Sequence, residues 1–259
     1  MIELTNDNYY QNKSYFSFSL YKRFMQCEAM ALAEFSGKIT RPVTEALLIG
    51  SYVDAYIEGT LEEFKQLNPE IISTRGPTKG ELKSSFKSAD EMIERFMRDP
   101  LFVEYLQGEK QTILTGTIAG VPVKGKLDIL HKDRIVDFKT TKDFRLVWNE
   151  GNLVTFIDQW GYDLQGAIYQ ELVKQKIGKR LPYYIAAVTK EATPDIDIIH
   201  IPDSILKSKL QEIEHFLPTF KAITVGITEP QRCEQCDYCK STKVLSKVTE
   251  FEEAITKWQ

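Results

Sequence analysis

Short apolar runs that alternate with polar residues occupy the middle of the chain, and such alternation is typical of half-buried strands. Turn-forming residues separate the runs at Gly120 and at Lys132-Asp133. The pattern predicts an antiparallel meander with strands at 111–117, 121–130 and 134–140. A continuous apolar run at 181–189 predicts a buried strand, and the alternation over 196–200 predicts one more.

Apolar residues recur at helical spacing in the segments around these strands. Pro42 and Gly59 mark the ends of one helix, because proline is favoured in the first turn and glycine just beyond the last. The spacing predicts a helix from Ser17 or Ser19 to about Gly37, further helices at 43–58, 81–98, 100–107, 154–177 and 203–224, and irregular segments at 60–80 and 141–153. This order predicts an α/β fold, a mixed central sheet flanked by helices, in a single domain over residues 1–259.

Two aspartates and a lysine of the predicted strands form a candidate site: Asp128, Asp137 and Lys139. Side chains alternate faces along a strand, so Asp137 and Lys139 point the same way, and Asp128 can reach the same space from the preceding strand. Carboxylates bind Mg²⁺ or Mn²⁺, and an ammonium can orient a water or offset phosphorane charge. The trio therefore suits phosphodiester hydrolysis, and a surface hairpin with three solvated charges is the alternative.

The predicted helix at 43–58 is largely apolar but carries Gly50, Asp54 and Glu58 at four-residue spacing on one face. Acidic side chains are rarely buried without a partner. Asp54, with Glu58 one turn further along, is therefore a candidate metal ligand that faces the hairpin. The alternative is that this face is exposed to solvent.

The long helix before the second group of strands places Asp158, Tyr162, Gln165 and Tyr169 on one polar face. Gln165 and Tyr169 could hydrogen-bond a phosphate or hold Lys139. A plain solvent-exposed face is the alternative.

The chain of 259 residues is 42% hydrophobic and 27% charged, the ordinary balance of a soluble domain. Its net charge of -4 gives no globally basic field, so contact with nucleic acid would need a local basic strip. Six cations near the central hairpin could form that strip or a solvated face: Lys124, Lys126, Lys132, Arg134, Lys142 and Arg145. We find neither a membrane-spanning apolar run nor a signal-peptide pattern, so we expect a cytoplasmic protein without membrane contact.

The four cysteines are Cys27, Cys233, Cys236 and Cys239. In a reducing compartment, three clustered cysteines suggest a metal more than disulfides. A lone helical cysteine such as Cys27 is commonly a small core residue, so unligated thiols are the alternative.

Four stretches together resemble the PD-(D/E)XK nuclease superfamily, and most closely the phage and prophage exonucleases of the exodeoxyribonuclease VIII, RecE-like type. The resemblance covers nearly the whole chain: Ser17–Glu28 resembles the opening helix, Gly50–Gly59 the second helix, Asp128, Asp137 and Lys139 the core motif, and Gly161–Tyr169 the later Gln/Tyr motif. These families usually have histidine at the position of Asp54 and proline before the position of Asp128, and this sequence has neither.

The resemblance implies a restriction-endonuclease-like core and a Mg²⁺- or Mn²⁺-dependent exonuclease that hydrolyses DNA from linear duplex ends. The implied metal ligands are Asp128, Asp137, the Phe138 carbonyl, and Asp54 or Glu58. Lys139 would orient the water, while Gln165 and Tyr169 would position the water or the phosphate. The implied DNA contacts are Lys124, Lys126, Lys142 and Arg145.

The resemblance also implies phage or prophage recombination or DNA processing in a bacterial or phage-infected cell, beside a RecT-like single-strand annealing protein, with oligomers allowed. One rival is a catalytically weak or inactive DNA-binding accessory protein on the same fold, which the Asp54 departure favours. A site-specific endonuclease is the other.

The cysteines resemble those of RecB-type nucleases, in which one cysteine before the core and three after it hold an iron–sulfur cluster. The resemblance implies a [4Fe–4S] site of Cys27, Cys233, Cys236 and Cys239, and Zn²⁺ would accept the same thiolates. Either metal would hold the C-terminal segment at 226–259 against the N-terminal helix. Free thiols are the third expectation.

Overall fold

The computed structural model describes residues 4–149 and 151–258. Its strands are β1 (Glu109–Ile118), β2 (Val121–Leu130), β3 (Ile135–Thr141), β4 (Val147–Asn149), β5 (Asn152–Val154), β6 (Tyr183–Thr189) and β7 (Ile196–Ile201). Five of them form one sheet in the order β1-β2-β3-β6-β7, and β4 and β5 form a separate hairpin.

Helices surround the five-stranded sheet. They are α1 (Phe18–Gln26), α2 (Glu28–Ser36), α3 (Glu45–Glu58), α4 (Leu61–Leu67), α5 (Ser84–Met97), α6 (Pro100–Tyr105), α7 (Phe156–Trp160), α8 (Tyr162–Ile177), α9 (Asp203–Thr224), α10 (Asp237–Ser241) and α11 (Phe251–Trp258), with a 3₁₀ turn at Pro69–Ile71. None of the described helices is long and apolar enough to cross a membrane.

The large sheet combines antiparallel and parallel pairing. β1, β2 and β3 form the predicted antiparallel meander, and β6 and β7 are also antiparallel. β3 pairs in parallel with β6, from Ile135 opposite Tyr183 to Thr141 opposite Thr189. The crossover between these two strands contains α8, as a parallel pair requires a long connection. The predicted mixed sheet with flanking helices is confirmed.

Each face of the sheet is covered by its own apolar core. The first core joins the sheet to α1, α2, α8 and α9, through residues such as Phe24, Leu172 and Phe220. The second joins it to α3, α5 and α6, through residues such as Tyr52 and Phe96. Burial on both faces explains the continuous apolar run of β6, which supplies side chains to both cores.

Two predicted helices are each broken into two. The helix expected to reach Gly37 breaks at Cys27, which has an extended backbone with φ of -168° and ψ of 111°. The segment around Gln231 binds the start of α2 at this break, where the Gln231 carbonyl accepts from Ala29 N–H and the Gln231 N–H donates to the Glu28 carboxylate at 2.6 Å. At this break the side chain of Cys27 points toward the C-terminal segment.

The helix expected at 154–177 breaks at Gly161, whose φ of +68° favours glycine. Thr155 and Asp158 form a capping box at the start of α7. Asp158 therefore caps a short helix and does not share a face with Gln165.

Two segments predicted as irregular contain regular structure. The segment at 60–80 includes α4, because Leu61 and Phe64 pack against the second core. The segment at 141–153 includes β4 and the start of β5, which pair through Trp148 opposite Leu153. Both elements are short, and so their sequence patterns are weak.

Candidate active site and cysteine cluster

β2 and β3 separate at the position of Asp128 and Asp137. Their pairing ends with Ile129 opposite Val136, so Asp128 and Asp137 would form the next pair. The Asp128 carboxylate instead accepts a hydrogen bond from Phe138 N–H at 3.0 Å. The separation brings two carboxylates together within the sheet.

The alternation of side chains is broken at the same place. Leu127 belongs to the first core and Ile129 to the second, although residues two apart on a regular strand share a face. On β1, Lys110 and Thr112 pair with Ile129 and Leu127, and the intervening Gln111 has a positive φ of 54°. This local irregularity is what allows the Asp128 side chain to reach β3.

Lys139 lies against both carboxylates. Its Nζ atom is 2.6 Å from Asp137 Oδ2 and 3.7 Å from Asp128 Oδ2. The same ammonium lies 5.0 Å from the centre of the Tyr162 ring, which is a cation–π distance. The convergence expected from the alternation of Asp137 and Lys139 is therefore present in the structure.

A hydrogen-bond chain from α8 holds Asp137. Gln165 Nε2 donates to Asp137 Oδ1 at 3.1 Å and to the Tyr169 hydroxyl at 2.9 Å. The Tyr169 hydroxyl donates to the Lys126 carbonyl at 2.9 Å. Gln165 and Tyr169 are both buried, so they do not form a solvent-exposed face. Their geometry fixes the Asp137 carboxylate relative to β2.

Tyr183 is a site residue that sequence reasoning missed, because it lies inside the apolar run of β6. Burial and the Asp137 carboxylate raise the pKa of Tyr183 well above its usual range. Gly166 on α8 makes room for this ring, since a Cβ there would lie 2.4 Å from Tyr183 Cε1. Helical spacing predicts that Tyr162 lies on the same face as Gln165, but it gives no sign of the contact between the Tyr162 ring and Lys139.

The electrostatics of the site reflect its burial. Burial raises the pKa of Asp137 to about 7, against the opposing effect of the Lys139 ammonium. Burial alone would lower the pKa of Lys139, but the Asp137 and Asp128 carboxylates outweigh it and raise that pKa. Lys139 therefore keeps its proton in this environment.

The helix α3 brings Asp54 and Glu58 to the same site. A Cβ at Gly50 would lie 3.6 Å from Thr140 Oγ1, so α3 packs closely against β3 at this residue. Burial and the Asp128 carboxylate raise the pKa of Asp54 well above its usual range, and burial also raises the pKa of Glu58. Neither acid lies on a freely exposed face, which excludes that alternative.

The carboxylates present fit a divalent cation. Asp54, Glu58 and Asp128 line one cavity, and only Lys139 forms an ion pair with Asp128 and Asp137 among the described residues. Asp137 Oδ2 is buried without a hydrogen bond of regular geometry in the described part of the chain, although the Lys139 ammonium is close. Buried carboxylate oxygens in excess over cations are the ligands that Mg²⁺ and Mn²⁺ prefer.

Two cavities meet at Ser51 and Asp54, which line both. The first, of about 710 Å³, contains the acidic groups and is also lined by Tyr10, Ser19, Lys126 and Gln165. The second, of about 880 Å³, is lined by the cations Lys139, Lys142, Arg145 and Lys190 and by the rings of Trp160 and Tyr162. Asp54 is thus reached from an acidic side and a basic side, whereas Asp128 lines only the first cavity and Asp137 lines neither.

The candidate DNA-binding cations differ in their surroundings. Lys142 and Arg145 are exposed at the second cavity, where Arg145 also pairs with Asp143 at 2.7 Å. Lys126 lines the first cavity. Lys124 also lines the first cavity, but it is buried and its ammonium donates to the backbone carbonyls of Tyr9 and Asn12, so it is poorly placed for the expected contact with DNA.

The remaining two cations of the predicted basic strip lie elsewhere. Arg134 pairs with Glu104 at 2.7 Å and stacks on the Tyr105 ring. Lys132 is exposed in the turn after β2 and lines neither cavity. The cations of the hairpin therefore do not form one continuous strip.

The four cysteines converge at the break between α1 and α2. All four sulfurs lie within 4.8 Å of one another, so the group could hold a metal ion. The Sγ atoms are 3.5 Å apart for Cys27 and Cys239, 3.8 Å for Cys27 and Cys236, and 3.9 Å for Cys233 and Cys239. The N–H groups of Gln235 and Cys236 lower the pKa of Cys233 to about 6, while burial raises that of Cys236 to about 12.

A mixed sheet that carries Asp128, Asp137 and Lys139 where two strands separate defines a nuclease fold of the PD-(D/E)XK class. The family described as a PDDEXK-like domain of unknown function (DUF3799) matches residues 17–242, and the chain belongs to this family. The crystal structure of a "putative exonuclease" from Eubacterium rectale is 41% identical, with a TM-score of 0.90 over 98% of each chain. No curated protein matches the sequence.

Proposed function

We propose that this protein is a Mg²⁺- or Mn²⁺-dependent exodeoxyribonuclease. The observation that carries the proposal is the convergence of Asp128, Asp137 and Lys139 where β2 and β3 separate. The family match and the similarity to a structure described as an exonuclease support nuclease activity in general. A nuclease fold also implies DNA as the substrate.

The metal would be held by Asp128, Asp137 and the Phe138 carbonyl, with Asp54 as a further ligand and Glu58 as the alternative. When bound, such an ion polarises a phosphoryl oxygen and lowers the pKa of a coordinated water. Gln165 and Tyr169 keep the Asp137 carboxylate in position, since their hydrogen bonds link it to β2. In this role they are positioning residues and need not touch the phosphate.

Lys139 acts as a hydrogen-bond donor and not as a base. The two carboxylates raise its pKa, so the side chain carries a proton at neutral pH. An ammonium at this place can orient the attacking water and offset negative charge on the phosphorane. The ring of Tyr162 limits the directions in which the side chain can move.

The basic cavity is the proposed approach for DNA. Lys142, Arg145 and Lys190 can bind phosphates, and the half-exposed Trp160 can stack on a base. The acidic cavity on the other side of Asp54 is less suited to a nucleic acid.

The proposed setting is phage or prophage recombination in the bacterial cytoplasm, beside a RecT-like annealing protein. Its support is the resemblance of the sequence to RecE-like exonucleases. A weakly active or inactive DNA-binding accessory protein is the second candidate function, favoured by Asp54 at a position where these families usually have histidine.

The deciding experiment incubates end-labelled linear duplex and closed circular duplex with Mg²⁺, with Mn²⁺ and with EDTA. We expect loss of the linear substrate with either metal and an intact circle. Cleavage of the circle would indicate the endonuclease, and binding without cleavage in both metals would indicate the accessory protein. Lys139→Ala protein, purified in the same way, controls for contaminating nucleases.

A further inference from the structure

We propose that Cys27, Cys233, Cys236 and Cys239 bind a single Zn²⁺ ion and not an iron–sulfur cluster. The proposal is independent of the nuclease activity, because none of the four cysteines lines either cavity at the carboxylates. The distances between the sulfur atoms support it.

The sulfurs have the spacing of ligands to one tetrahedral ion. At a zinc–sulfur bond of about 2.3 Å, neighbouring sulfurs of a four-thiolate site lie about 3.8 Å apart. The Cys27–Cys236 and Cys233–Cys239 separations of 3.8 and 3.9 Å agree with this value, and the Cys27–Cys239 separation is 3.5 Å. One ion fits in the space that the four thiols enclose.

A [4Fe–4S] cluster does not fit the same space. Each cysteine would bind a different iron at a corner of the cube, which holds the ligand sulfurs roughly 6 Å apart. In this protein all four ligand atoms lie within 4.8 Å of one another. The C-x₂-C-x₂-C spacing also occurs in iron–sulfur proteins, so the spacing alone predicts the cluster that the geometry disfavours.

The backbone of the C-terminal segment holds the sulfurs at this spacing. Cys236 N–H donates to Cys233 Sγ at 3.3 Å, and Cys239 N–H donates to Cys236 Sγ at 3.4 Å. Each of these bonds favours the charged thiolate that a metal requires. The extended backbone of Cys27, between α1 and α2, supplies the fourth sulfur from the other end of the chain.

A site with four protein ligands leaves no position for a substrate, so the zinc would be structural. It would join α1 and α2 to α10. Ser17–Ser19 at the start of α1 lines the acidic cavity, so the ion would also hold one wall of that cavity in place. Disulfides are the competing state of four adjacent thiols, but an S–S bond of about 2.0 Å is far shorter than the sulfur–sulfur separations of 3.5, 3.8 and 3.9 Å.

The test measures metal content in full-length protein purified without oxygen from cells supplied with both iron and zinc. We expect one zinc per chain, no stoichiometric iron or sulfide, and a colourless solution. Brown protein with several irons and equivalent sulfide would overturn the proposal in favour of the cluster. Protein that contains neither metal would overturn it in favour of unligated thiols, and disulfides found after unfolding in acid would overturn it in favour of oxidised cysteines.

Variants assign the ion to this site. Cys233→Ser should lose the zinc, while Ser241→Ala in the same segment should keep it, because the Ser241 hydroxyl bonds only the Tyr238 carbonyl among the described contacts. Asp128→Asn should also keep the zinc. Loss of zinc from the Asp128→Asn protein would indicate that the ion binds at the carboxylates. If Cys233→Ser fails to fold, titration of folded wild-type protein with a mercurial should release one zinc per four thiols, and zinc release without thiol modification would contradict the site.

Discussion

Lys139 illustrates how much one residue depends on its two partners. Its ammonium would be costly to bury alone, and Asp128 and Asp137 offset that cost. The same contacts keep the proton on the side chain, so the contribution that we propose for it in catalysis is a directed positive charge.

We therefore expect Lys139→Ala to lower the cleavage rate by at least about 100-fold, the usual loss when a preorganised charged donor is removed. DNA affinity and the circular dichroism spectrum should stay close to wild type. Lys132→Ala, which changes an exposed lysine of the same hairpin outside both cavities, is the matched control. A near wild-type rate for Lys139→Ala would contradict the proposed role.

Asp54 stands where the nuclease families that the sequence resembles usually have histidine. Burial raises the pKa of its carboxyl group, and the nearby Asp128 and Glu58 carboxylates raise that pKa further. A bound cation would offset the cost of burying this charge near like charges. A solvent-exposed acid would not need such a cation.

Asp54→Ala should lower turnover by at least about 10-fold, the smaller end of losses seen around metal sites. Asp54→His should retain activity better with Mn²⁺ than with Mg²⁺, because Mn²⁺ accepts imidazole more readily. Rates are compared across a titration of each metal, with Asp133→Ala in the exposed turn as the control. Unchanged kinetics in Asp54→Ala would exclude the ligand role.

At the scale of elements, the sheet and most helices could be predicted because their apolar periodicity is set locally. The break at Cys27 could not, since the hydrogen bonds at the start of α2 come from Gln231, which is far away in sequence. The break at Gly161 carried a readable signal in the Thr155–Asp158 capping box. Periodicity also placed Lys124 on the strand but gave no sign that Tyr9 would cover it.

The approach of α8 to β6 is the contact that brings Gln165 to Asp137. Gly166→Ala should lower the free energy of unfolding by about 1–3 kcal/mol, because its Cβ would overlap the Tyr183 ring. Gly50→Ala provides the opposite control, since its Cβ would meet Thr140 only at 3.6 Å and alanine favours a helix interior by up to about 1 kcal/mol. Denaturant unfolding of both variants tests the pair, and equal stability would contradict the close packing of α8.

At the scale of the whole molecule, the two cavities differ in charge on either side of Asp54. Lys142→Ala should weaken DNA binding in low salt and reduce the slope of log affinity against log salt by about one. Lys126→Ala, on the acidic side, should change the slope less. Binding isotherms at several salt concentrations measure both, and a larger effect of Lys126→Ala would place the DNA in the acidic cavity.

The C-terminal segment has two parts with different expected contributions to stability. Residues 229–242 contact α2 and hold three of the four cysteines, whereas Val244, Leu245 and Val248 are 88%, 78% and 85% exposed. Deletion of residues 244–259 should therefore leave the melting temperature and the metal content unchanged.

Deletion of residues 226–259 removes three thiolates, so it should lower the melting temperature and expose α1 and α2 to early proteolysis, because bound metal contributes directly to folding. Calorimetry and limited proteolysis of the two truncated proteins, compared with Cys233→Ser, test this division. Equal melting temperatures for both deletions would show that the cysteine cluster does not stabilise the N-terminal helices.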